Sequence, residues 1–352
     1  MRYNVIGLMS GTSIDGLDIV FCSFKNNNGN WNFEIKKSHT VVYNKIWKNK
    51  LSYSHRLSAF ELIKLHKDYG NFIGENVNIF LKDITEKIDF ISSHGHTVFH
   101  QTDKKITFQL GDGANICAKT KKTTISDFRN LDVALGGQGA PLVPIGDKYL
   151  FSDYDICINL GGFANLSFEK NKKRIAFDIC PVNIAINFLS KKIGKDFDKD
   201  GLISKNGKIN NFMLKKLNDV SFYQKEHPKS LSREYFEKSF LSILEKENLK
   251  IEDSLRTVYE HIVIQINDSI KDKKSKKILL TGGGAHNKFL LELLKEKTNH
   301  NIFIPKKQIV DFKEAIIFAF LGVLRYEKTN NCLSSVTGAT KNNIGGSIFL
   351  AN

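Results

Sequence analysis

Apolar runs separated by polar turns occupy the first forty positions, a pattern typical of β-strands. This pattern predicts three strands: Tyr3 to Met9, Leu17 to Phe24 and Trp31 to Tyr43. A polar turn, Ser10 to Gly16, joins the first two. Helical spacing of apolar residues then predicts a helix from Leu57 to Lys87, ahead of a strand from Asp89 to Ser92. The predicted order is three strands, followed by alternation with helices.

The same order returns in the second half of the chain. The strands predicted there are Ile156 to Leu160, Asn165 to Phe168, Arg174 to Ile179 and Lys277 to Leu280. Helical spacing dominates from Asn183 to Ile270, with breaks at Gly201 to Asn211 and at His227-Pro228. The repetition predicts an internal duplication, in which two α/β halves meet at a ligand cleft.

Glycine and proline cluster between Gly136 and Pro144. Such a stretch is typical either of a crossing between the two halves or of a tight substrate loop inside one half. The sequence leaves both interpretations open.

Composition favours a globular protein of two domains, since 352 residues with 41% hydrophobic content bury a sizeable core. The longest apolar run, Ile316 to Leu324, is too short to span a bilayer, and Met1 to Met9 has no export pattern. Five widely spaced cysteines without a C-x-x-C pair indicate a reduced compartment and core packing rather than zinc. We therefore expect a cytoplasmic protein without a membrane partner.

The net charge of +15 raises the possibility of nucleic-acid binding. Only seven of the 52 basic residues are arginine, however, and no nucleic-acid-binding motif is present. Solvated basic faces are the favoured interpretation, and no nucleic-acid partner is expected.

The segment Ser10 to Asp18 combines small residues, hydroxyls and acids at a strand end. Glycines there let a backbone approach a phosphate, and Asp15 and Asp18 are candidate magnesium ligands. An ordinary polar hairpin tip is the alternative, and the segment is not a Walker A loop. Two further glycine turns, Gly161-Gly162 and Gly282-Gly283-Gly284, follow predicted strands. Three such turns in duplicated halves together favour nucleotide binding.

Two other segments carry candidate chemistry. The histidines of Ser92 to His100 favour hydrogen bonding to a polar substrate over metal binding, with a structural role open for His100. Asp178 ends a predicted strand and is a candidate general base, although an N-cap or turn aspartate before Pro181 is equally compatible. Cys180 is a packing residue rather than a nucleophile.

The run Ile6 to Asp18 closely resembles the opening signature of the anhydro-N-acetylmuramic acid kinases. The resemblance continues along nearly the whole chain through these segments: Ser93-His94-Gly95 with Thr97, Gln109 to Asp112, Ser126 to Arg129, Gly136 to Pro144, Asn159 to Gly162, Phe177-Asp178, Asp198 to Gly201, Pro228 to Ser230, Thr281 to Ala285, Lys313 to Ala315 and Val336 to Ala339.

The resemblance implies an α/β fold of two duplicated actin-like, ribonuclease H-like domains, whose mixed sheets are flanked by helices and which close on ATP and sugar at a cleft. The domains are expected at residues 1–130 plus 335–352 and at residues 131–334. The resemblance also implies that the protein acts in peptidoglycan recycling, uses Mg²⁺ as a cofactor and forms a homodimer.

The implied reaction opens the 1,6-anhydro ring of anhydro-N-acetylmuramic acid with water and transfers the γ-phosphate of ATP to O6. Carried over by residue, Asp178 activates the water and Glu314 orients water or substrate. ATP is expected at Gly11, Thr12, Ser13, Ile14, Asp15, Gly16, Leu17, Asp18, Gly161, Gly162, Gly282, Gly283 and Gly284. The sugar and its lactyl carboxylate are expected at His94, Thr97 and Arg129.

Three positions depart from the pattern of the family. Ile179-Cys180-Pro181-Val182-Asn183 stands where Thr-Gly-Pro-Gly-Asn is expected, His96 where Gln is usual and Ser232 where Gly is usual. Two alternatives accompany the main prediction: a kinase of another sugar on the same fold, and a non-catalytic, nucleotide-switched binding protein.

Overall fold

Three antiparallel strands begin the chain at the positions that the sequence predicts. In the computed structural model, which describes residues 1–227, 229–246, 249–271 and 276–351, they are β1 (Arg2–Ser10), β2 (Gly16–Asn27) and β3 (Asn30–Val42). Ile6, Ile19 and Phe21 point into the core and are at most 1% exposed. Residues of the opposite face, among them Val5 and Val20, are buried as well, so both faces of β1 and β2 are covered.

The first of two units contains Met1–Leu150 and the residues from Phe312 onward. Up to Leu150 its further elements are α1 (Lys45–Ser52), α2 (Ala59–Leu81), β4 (Phe90–Gln101), β5 (Ile106–Leu110), α3 (Gly113–Thr120), β6 (Thr124–Ser126), α4 (Asn130–Ala134) and α5 (Val143–Leu150).

The second unit is Phe151–Asp311. Its elements begin with β7 (Ile156–Leu160), β8 (Phe163–Lys170), β9 (Lys173–Pro181), α6 (Asn183–Lys191), α7 (Asn211–Asn218), α8 (Arg233–Phe236) and α9 (Ser242–Lys246). They continue with α10 (Ile251–Ile270), β10 (Lys277–Thr281), α11 (Lys288–Lys297) and β11 (Asn301–Phe303). Helix α12 (Lys307–Tyr326) starts in the last residues of this unit and continues in the first unit. The first unit also contains the two last elements, α13 (Ser334–Thr337) and β12 (Ser347–Phe349).

The two sheets share one strand order. The first runs β12-β6-β4-β1-β2-β3, with β5 paired to β4, and the second runs β11-β10-β7-β8-β9. In each, three antiparallel strands are followed by parallel pairing of the first strand with the fourth. This repeated order is the ribonuclease H-like topology, so the predicted duplication and fold class are confirmed. The predicted domain bounds at residues 130 and 335 stay a prediction.

Helix α12 forms much of the first unit's core. The apolar run Ile316 to Leu324 lies inside it, with every residue buried. Gly7 of β1 permits the close approach of this helix, because a Cβ there would lie 2.3 Å from the carbonyl oxygen of Ala315. No helix in the described ranges is long and apolar enough to cross a membrane.

In the second unit, α10 supplies the corresponding buried helix. Leu255, Val258 and Ile262 are at most 2% exposed and belong to the same apolar cluster as Ile158 and Leu280 of the sheet. Burial of this kind, rather than helix propensity, stabilises most helices in globular proteins.

Two element predictions were wrong in extent, and one helix was missed. The predicted helix to Lys87 ends at Leu81, because Asp83, Ile84 and Thr85 are poor helix formers. Helix α1 was not predicted. Strand β4 continues to Gln101, nine residues beyond Ser92, because Gly95 with a φ of 78° and a register shift interrupt its alternation.

Candidate active site

The turn between β1 and β2 is the first predicted phosphate site. Thr12, Ser13 and Asp15 are exposed, and Gly11 is half-buried. Ile14 has a φ of 58° and donates its backbone N–H to the carbonyl oxygen of Gly11 over 3.2 Å. The turn therefore offers two hydroxyls and a carboxylate to solvent at the strand ends.

Gly16, Leu17 and Asp18 belong to β2 rather than to the turn. The first two are buried, and half-buried Asp18 accepts a hydrogen bond on Oδ1 from Oγ1 of Thr40 at 2.6 Å. Within the described chain, no group of three or more His, Cys, Asp or Glu is placed to hold a metal ion. Because magnesium keeps several waters and often uses one or two carboxylates with phosphate oxygens, Asp15 and Asp18 fit such a shared site.

A chain of buried polar side chains lies beneath this turn. Nδ1 of His96 lies 3.1 Å from Oγ of Ser10, which accepts a hydrogen bond from the Tyr43 hydroxyl at 2.8 Å. The hydroxyls of Tyr43 and Tyr69 are also hydrogen-bonded. All four residues are at most 3% exposed. Burial raises the pKa of Tyr43 to about 12 and lowers the pKa of His96 to about 4.

His94 and Arg129, both predicted sugar contacts, are hydrogen-bonded to each other. Nε and Nη2 of Arg129 lie 3.0 and 2.9 Å from Nε2 of His94. Nδ1 of His94 therefore carries the proton and donates it to the carbonyl oxygen of Gly95 at 2.9 Å. Burial, with the Arg129 charge, lowers the pKa of His94 well below its usual value. His94 is thus a neutral residue that orients Arg129.

The Arg129 guanidinium is further held by the carbonyl oxygen of Gly139, which accepts from Nη1 at 2.6 Å. Buried Asp132 in turn accepts the Gly139 N–H at 2.8 Å. Burial lowers the pKa of Arg129 to about 10, so the group stays charged at neutral pH. The Gly136 to Pro144 loop therefore lies within the first unit and fixes an arginine, a role that sequence reasoning missed.

Thr97, the third predicted sugar contact, lies half-buried on β4 and pairs with Gln109 of β5. His100, further along the strand, has Nδ1 3.0 Å from Oγ1 of Thr107. That bond agrees with the structural role left open for His100.

Glu314 lies on α12 next to a buried ion pair, in which Nζ of Lys313 is 2.7 Å from Oδ1 of Asp147. Desolvation raises the pKa of Glu314; Arg129 opposes the rise and Asp18 adds to it. The Glu314 side chain is exposed to solvent. Glu314, Arg129 and Asp18 thus interact within the first unit.

In the second unit, Gly161 and Gly162 form the turn between β7 and β8. The carbonyl oxygen of Gly162 accepts from the N–H groups of Val182 at 2.8 Å and Ile184 at 3.2 Å, and that of Gly161 accepts from Asn183 at 3.2 Å. The turn is therefore anchored to the start of α6.

The glycine triplet after β10 packs against the end of β7. Gly282 has a φ of 84°, and a Cβ there would lie 2.7 Å from the carbonyl carbon of Leu160. A Cβ at Gly284 would lie 2.7 Å from Cβ of Leu160, whereas at Gly283 the nearest atom, Nδ2 of Asn183, would be 3.5 Å away. The outer glycines are thus required for packing, and Gly283 leaves space for a ligand.

Asp178 lies within β9, opposite Asn165 of β8. Its Oδ2 accepts the backbone N–H of Leu231 at 2.7 Å, and its own N–H bonds the carbonyl oxygen of Lys229 at 3.0 Å. Burial raises its pKa to about 6, against the effect of the Leu231 bond. The N-cap and turn alternatives were wrong, since Asp178 is a strand residue and Val182 occupies the cap position of α6.

The departures from the family pattern have structural explanations. Ile179, Cys180 and Val182 are at most 2% exposed and pack in the core of the second unit. Ser232 caps α8, where its Oγ accepts the Tyr235 N–H at 3.1 Å. Pro228, quoted in the family resemblance, lies outside the described residues.

A cleft of about 400 Å³ lies beside Gly283. Asn183, Phe197, Lys199 and His286 are among its lining residues. Asp198 shapes one wall, since its carboxylate accepts the N–H groups of the two residues Ile203 and Ser204. Sequence reasoning did not assign these residues to a ligand, although Asp198 to Gly201 belonged to a matching motif.

Two units of one topology, each with a glycine-containing turn at the end of its first strand, define a duplicated ribonuclease H-like protein. The family model "Anhydro-N-acetylmuramic acid kinase" matches residues 3–351. The chain belongs to the anhydro-N-acetylmuramic acid kinase family. The predicted family and its kinase activity class are thereby confirmed.

Curated relatives match over nearly the whole chain. The anhydro-N-acetylmuramic acid kinase of Francisella tularensis subsp. novicida is 34% identical, with 97% of each chain covered. The enzyme of the same name from Pseudomonas syringae pv. syringae is 30% identical, with 100% of each covered.

Solved structures are more distant. The activator of the 2-hydroxyisocaproyl-CoA dehydratase from Clostridium difficile, with bound ADPNP, is 16% identical at a TM-score of 0.45, covering 92% of this chain and 97% of that one. A gluconate kinase from Lactobacillus acidophilus is 11% identical at a TM-score of 0.44, covering 92% and 90%. The family assignment rests on the sequence matches.

Proposed function

We propose that this protein is an ATP-dependent kinase that opens the 1,6-anhydro ring of anhydro-N-acetylmuramic acid with water and phosphorylates O6. The observation that carries the proposal is Asp178, a half-buried carboxylate with a pKa of about 6. The product is N-acetylmuramic acid 6-phosphate, which would enter peptidoglycan recycling.

The reaction balances as one hydrolysis and one phosphoryl transfer. A water oxygen bonds to C1, the C1–O6 bond breaks, and the water proton passes to Asp178. The freed O6 attacks the γ-phosphorus of ATP, the bond to the β-phosphate oxygen breaks, and ADP leaves. The proton on Asp178 then returns to solvent.

The environment of Asp178 suits a general base. The Leu231 N–H holds Oδ2, and no hydrogen bond to Oδ1 is seen among the described residues. Oδ1 is therefore the atom we assign to the water proton. A pKa near 6 leaves the carboxylate mostly ionised at neutral pH, yet more basic than an exposed aspartate.

For the nucleotide, we assign phosphate contacts to the Gly11 to Asp18 segment and to Gly161, Gly162 and Gly282 to Gly284. Open space at Gly283 and the adjoining cleft support a nucleoside contact there. Asp15 and Asp18 would hold Mg²⁺ through oxygen, and Mg²⁺ would supply charge neutralisation for the phosphates.

For the sugar, we assign Arg129, His94, Thr97 and Glu314. Three of the five N–H donors of Arg129 are engaged by His94 and Gly139, which leaves two for a lactyl carboxylate. His94 would act by holding the guanidinium, and Glu314 by orienting water or sugar hydroxyls.

We further propose a cytoplasmic location and a homodimer. All five cysteines are buried, as suits thiols packed in the core of a protein from a reducing compartment. The homodimer follows from the family resemblance alone.

The test is an assay of ADP release with ATP, Mg²⁺ and anhydro-N-acetylmuramic acid, with mass-spectrometric identification of the product. We expect sugar-dependent ADP release and a 6-phosphate carrying one added water. Omission of the sugar is the control. Turnover only with another sugar would replace the substrate, and tight ATP binding without any sugar-dependent turnover would support the non-catalytic alternative.

A further inference from the structure

The buried polar chain of Tyr69, Tyr43, Ser10 and His96 beneath the β1–β2 turn has no role in the proposed chemistry so far. A buried polar group costs free energy unless its hydrogen bonds are satisfied, and apolar residues would fill the same space at lower cost. Its two ends differ: Tyr69 lies in the core, whereas His96 is paired across the sheet with Ser10, the residue that directly precedes the turn.

Counting donors fixes the tyrosine end of this chain. Tyr43 has one hydroxyl proton, which it donates to Oγ of Ser10, so Tyr69 donates to Tyr43. Ser10 keeps its own proton, and the ring nitrogen Nδ1 of His96 lies within reach at 3.1 Å. When Ser10 donates this proton to Nδ1, the neutral ring of His96 carries its proton on Nε2, and this is the tautomer we assign.

Burial keeps this arrangement in one protonation state at neutral pH. It raises the pKa values of Tyr43 and Tyr69, so both hydroxyls stay protonated, and it lowers that of His96, so the ring stays neutral. The Nε2–H of His96 is therefore a fixed, uncharged donor.

That donor is available to a ligand. His96 Nε2 makes no hydrogen bond within the described residues. It is also not one of the buried polar atoms without a partner, so it retains access to solvent. The strand register pairs His96 with Ser10, the residue before the turn. The exposed hydroxyls of Thr12 and Ser13 lie two and three residues further along.

We propose that His96 is a nucleotide-contacting residue, whose Nε2–H donates a hydrogen bond to a phosphoryl oxygen held at the β1–β2 turn and whose tautomer is set by Ser10, Tyr43 and Tyr69. This inference rests on the proposed ATP site. It adds an uncharged donor from β4 to a turn contributed by β1 and β2.

The first experiment compares His96→Leu with His96→Gln by calorimetric titration of AMPPNP with Mg²⁺. The leucine variant loses the donor, and we expect about tenfold weaker binding. The glutamine variant keeps an amide N–H, and we expect affinity within about threefold of the unchanged protein. His55→Leu, at an exposed histidine of the same unit, is the matched control and should bind AMPPNP normally.

The second experiment records the long-range ¹H–¹⁵N spectrum of histidine-labelled protein. We expect the Nε2–H tautomer for His96 and a shift of its Nε2 signal when AMPPNP is added, which a purely structural ring would not show. This readout and the glutamine variant decide the question if the leucine variant fails to fold.

Normal AMPPNP affinity in folded His96→Leu, or an Nε2 signal that AMPPNP does not move, would overturn the proposal. A signal that moves only with the anhydro sugar would overturn the phosphate assignment. Because AMPPNP binding requires no turnover, these results are independent of sugar-dependent ADP release, which tests the proposed function.

Discussion

The turns β1–β2 and β7–β8 occupy the same place in the shared strand order but are built differently. The first has five residues between the strands, with three exposed polar side chains, and lies above a chain of side-chain hydrogen bonds. The second has two glycines, whose carbonyl oxygens accept backbone N–H groups from residues 182–184.

The difference indicates how one topology can present side chains at one turn and backbone at the other. In the first unit, the ligand donors that we propose are side chains, and their positions depend on other side chains. In the second unit, backbone bonds hold the turn and leave open space at Gly283, while β9 carries the proposed base Asp178. Duplicated folds can thus diverge at the turns while the strand order is kept.

The largest expected effect tests the chemistry assigned to the second unit. Asp178→Asn removes the base but keeps an acceptor for the Leu231 N–H. We expect kcat to fall by about a hundred- to ten-thousand-fold, because an amide cannot take the water proton. Steady-state ADP release measures this, with exposed Asp219→Asn as the control.

The same variant gives a stability prediction with a defined sign. Burial raises the pKa of Asp178 from 3.8 to about 6. The contribution of this carboxyl group to the stability of the folded protein is therefore fully present below about pH 4, where the group is neutral, and is lost as the pH rises through 6. We expect Asp178→Asn to have a higher Tm than the unchanged protein at pH 7, with the gap closing below pH 4. An equal gap at both pH values would contradict the raised pKa.

The next effect tests the packing of the glycine triplet. Gly282→Ala places a Cβ 2.7 Å from the carbonyl carbon of Leu160 at a φ of 84°, and we expect destabilisation of about 1–3 kcal/mol. Gly283→Ala is the matched control, and we expect a change of about 0.5 kcal/mol or less. Urea unfolding measures both, and equal losses would show that the comparison is wrong.

The smallest effect concerns the first turn. Thr40→Val removes the hydroxyl that donates to Asp18 at 2.6 Å while keeping the side-chain shape. We expect the KM for ATP and the Mg²⁺ concentration at half-maximal rate to rise about two- to fivefold, since Asp18 loses its orientation. Exposed Thr329→Val should leave both values unchanged.

The fold was largely predictable because apolar runs separated by polar turns mark its strands. Ile6, Ile19 and Phe21 mark the core face of the first sheet from sequence alone. The prediction of secondary structure failed where the residues of an element do not show its usual hydrophobic pattern. Gly95 and three histidines obscure β4, and the polar helix Lys45–Ser52 shows little apolar periodicity.

The candidate site was predictable where glycine marks a turn and not where partners come from distant segments. The turns at Gly161 and Gly282 could be found from their spacing to strands. His94 fixes the Arg129 guanidinium from β4, 35 residues earlier in the chain, and no local pattern encodes that contact. The site assignments themselves stay predictions until the variants are measured.

The division of the first unit along the chain has a consequence for biosynthesis. Its core helix α12 and edge strand β12 come from the last part of the sequence, after all of Phe151–Asp311 has been translated. Gly7 cannot receive α12 until that point. During elongation on the ribosome, the continuous second unit is therefore the first able to complete its fold, and the nascent amino-terminal sheet waits for the carboxyl-terminal segment.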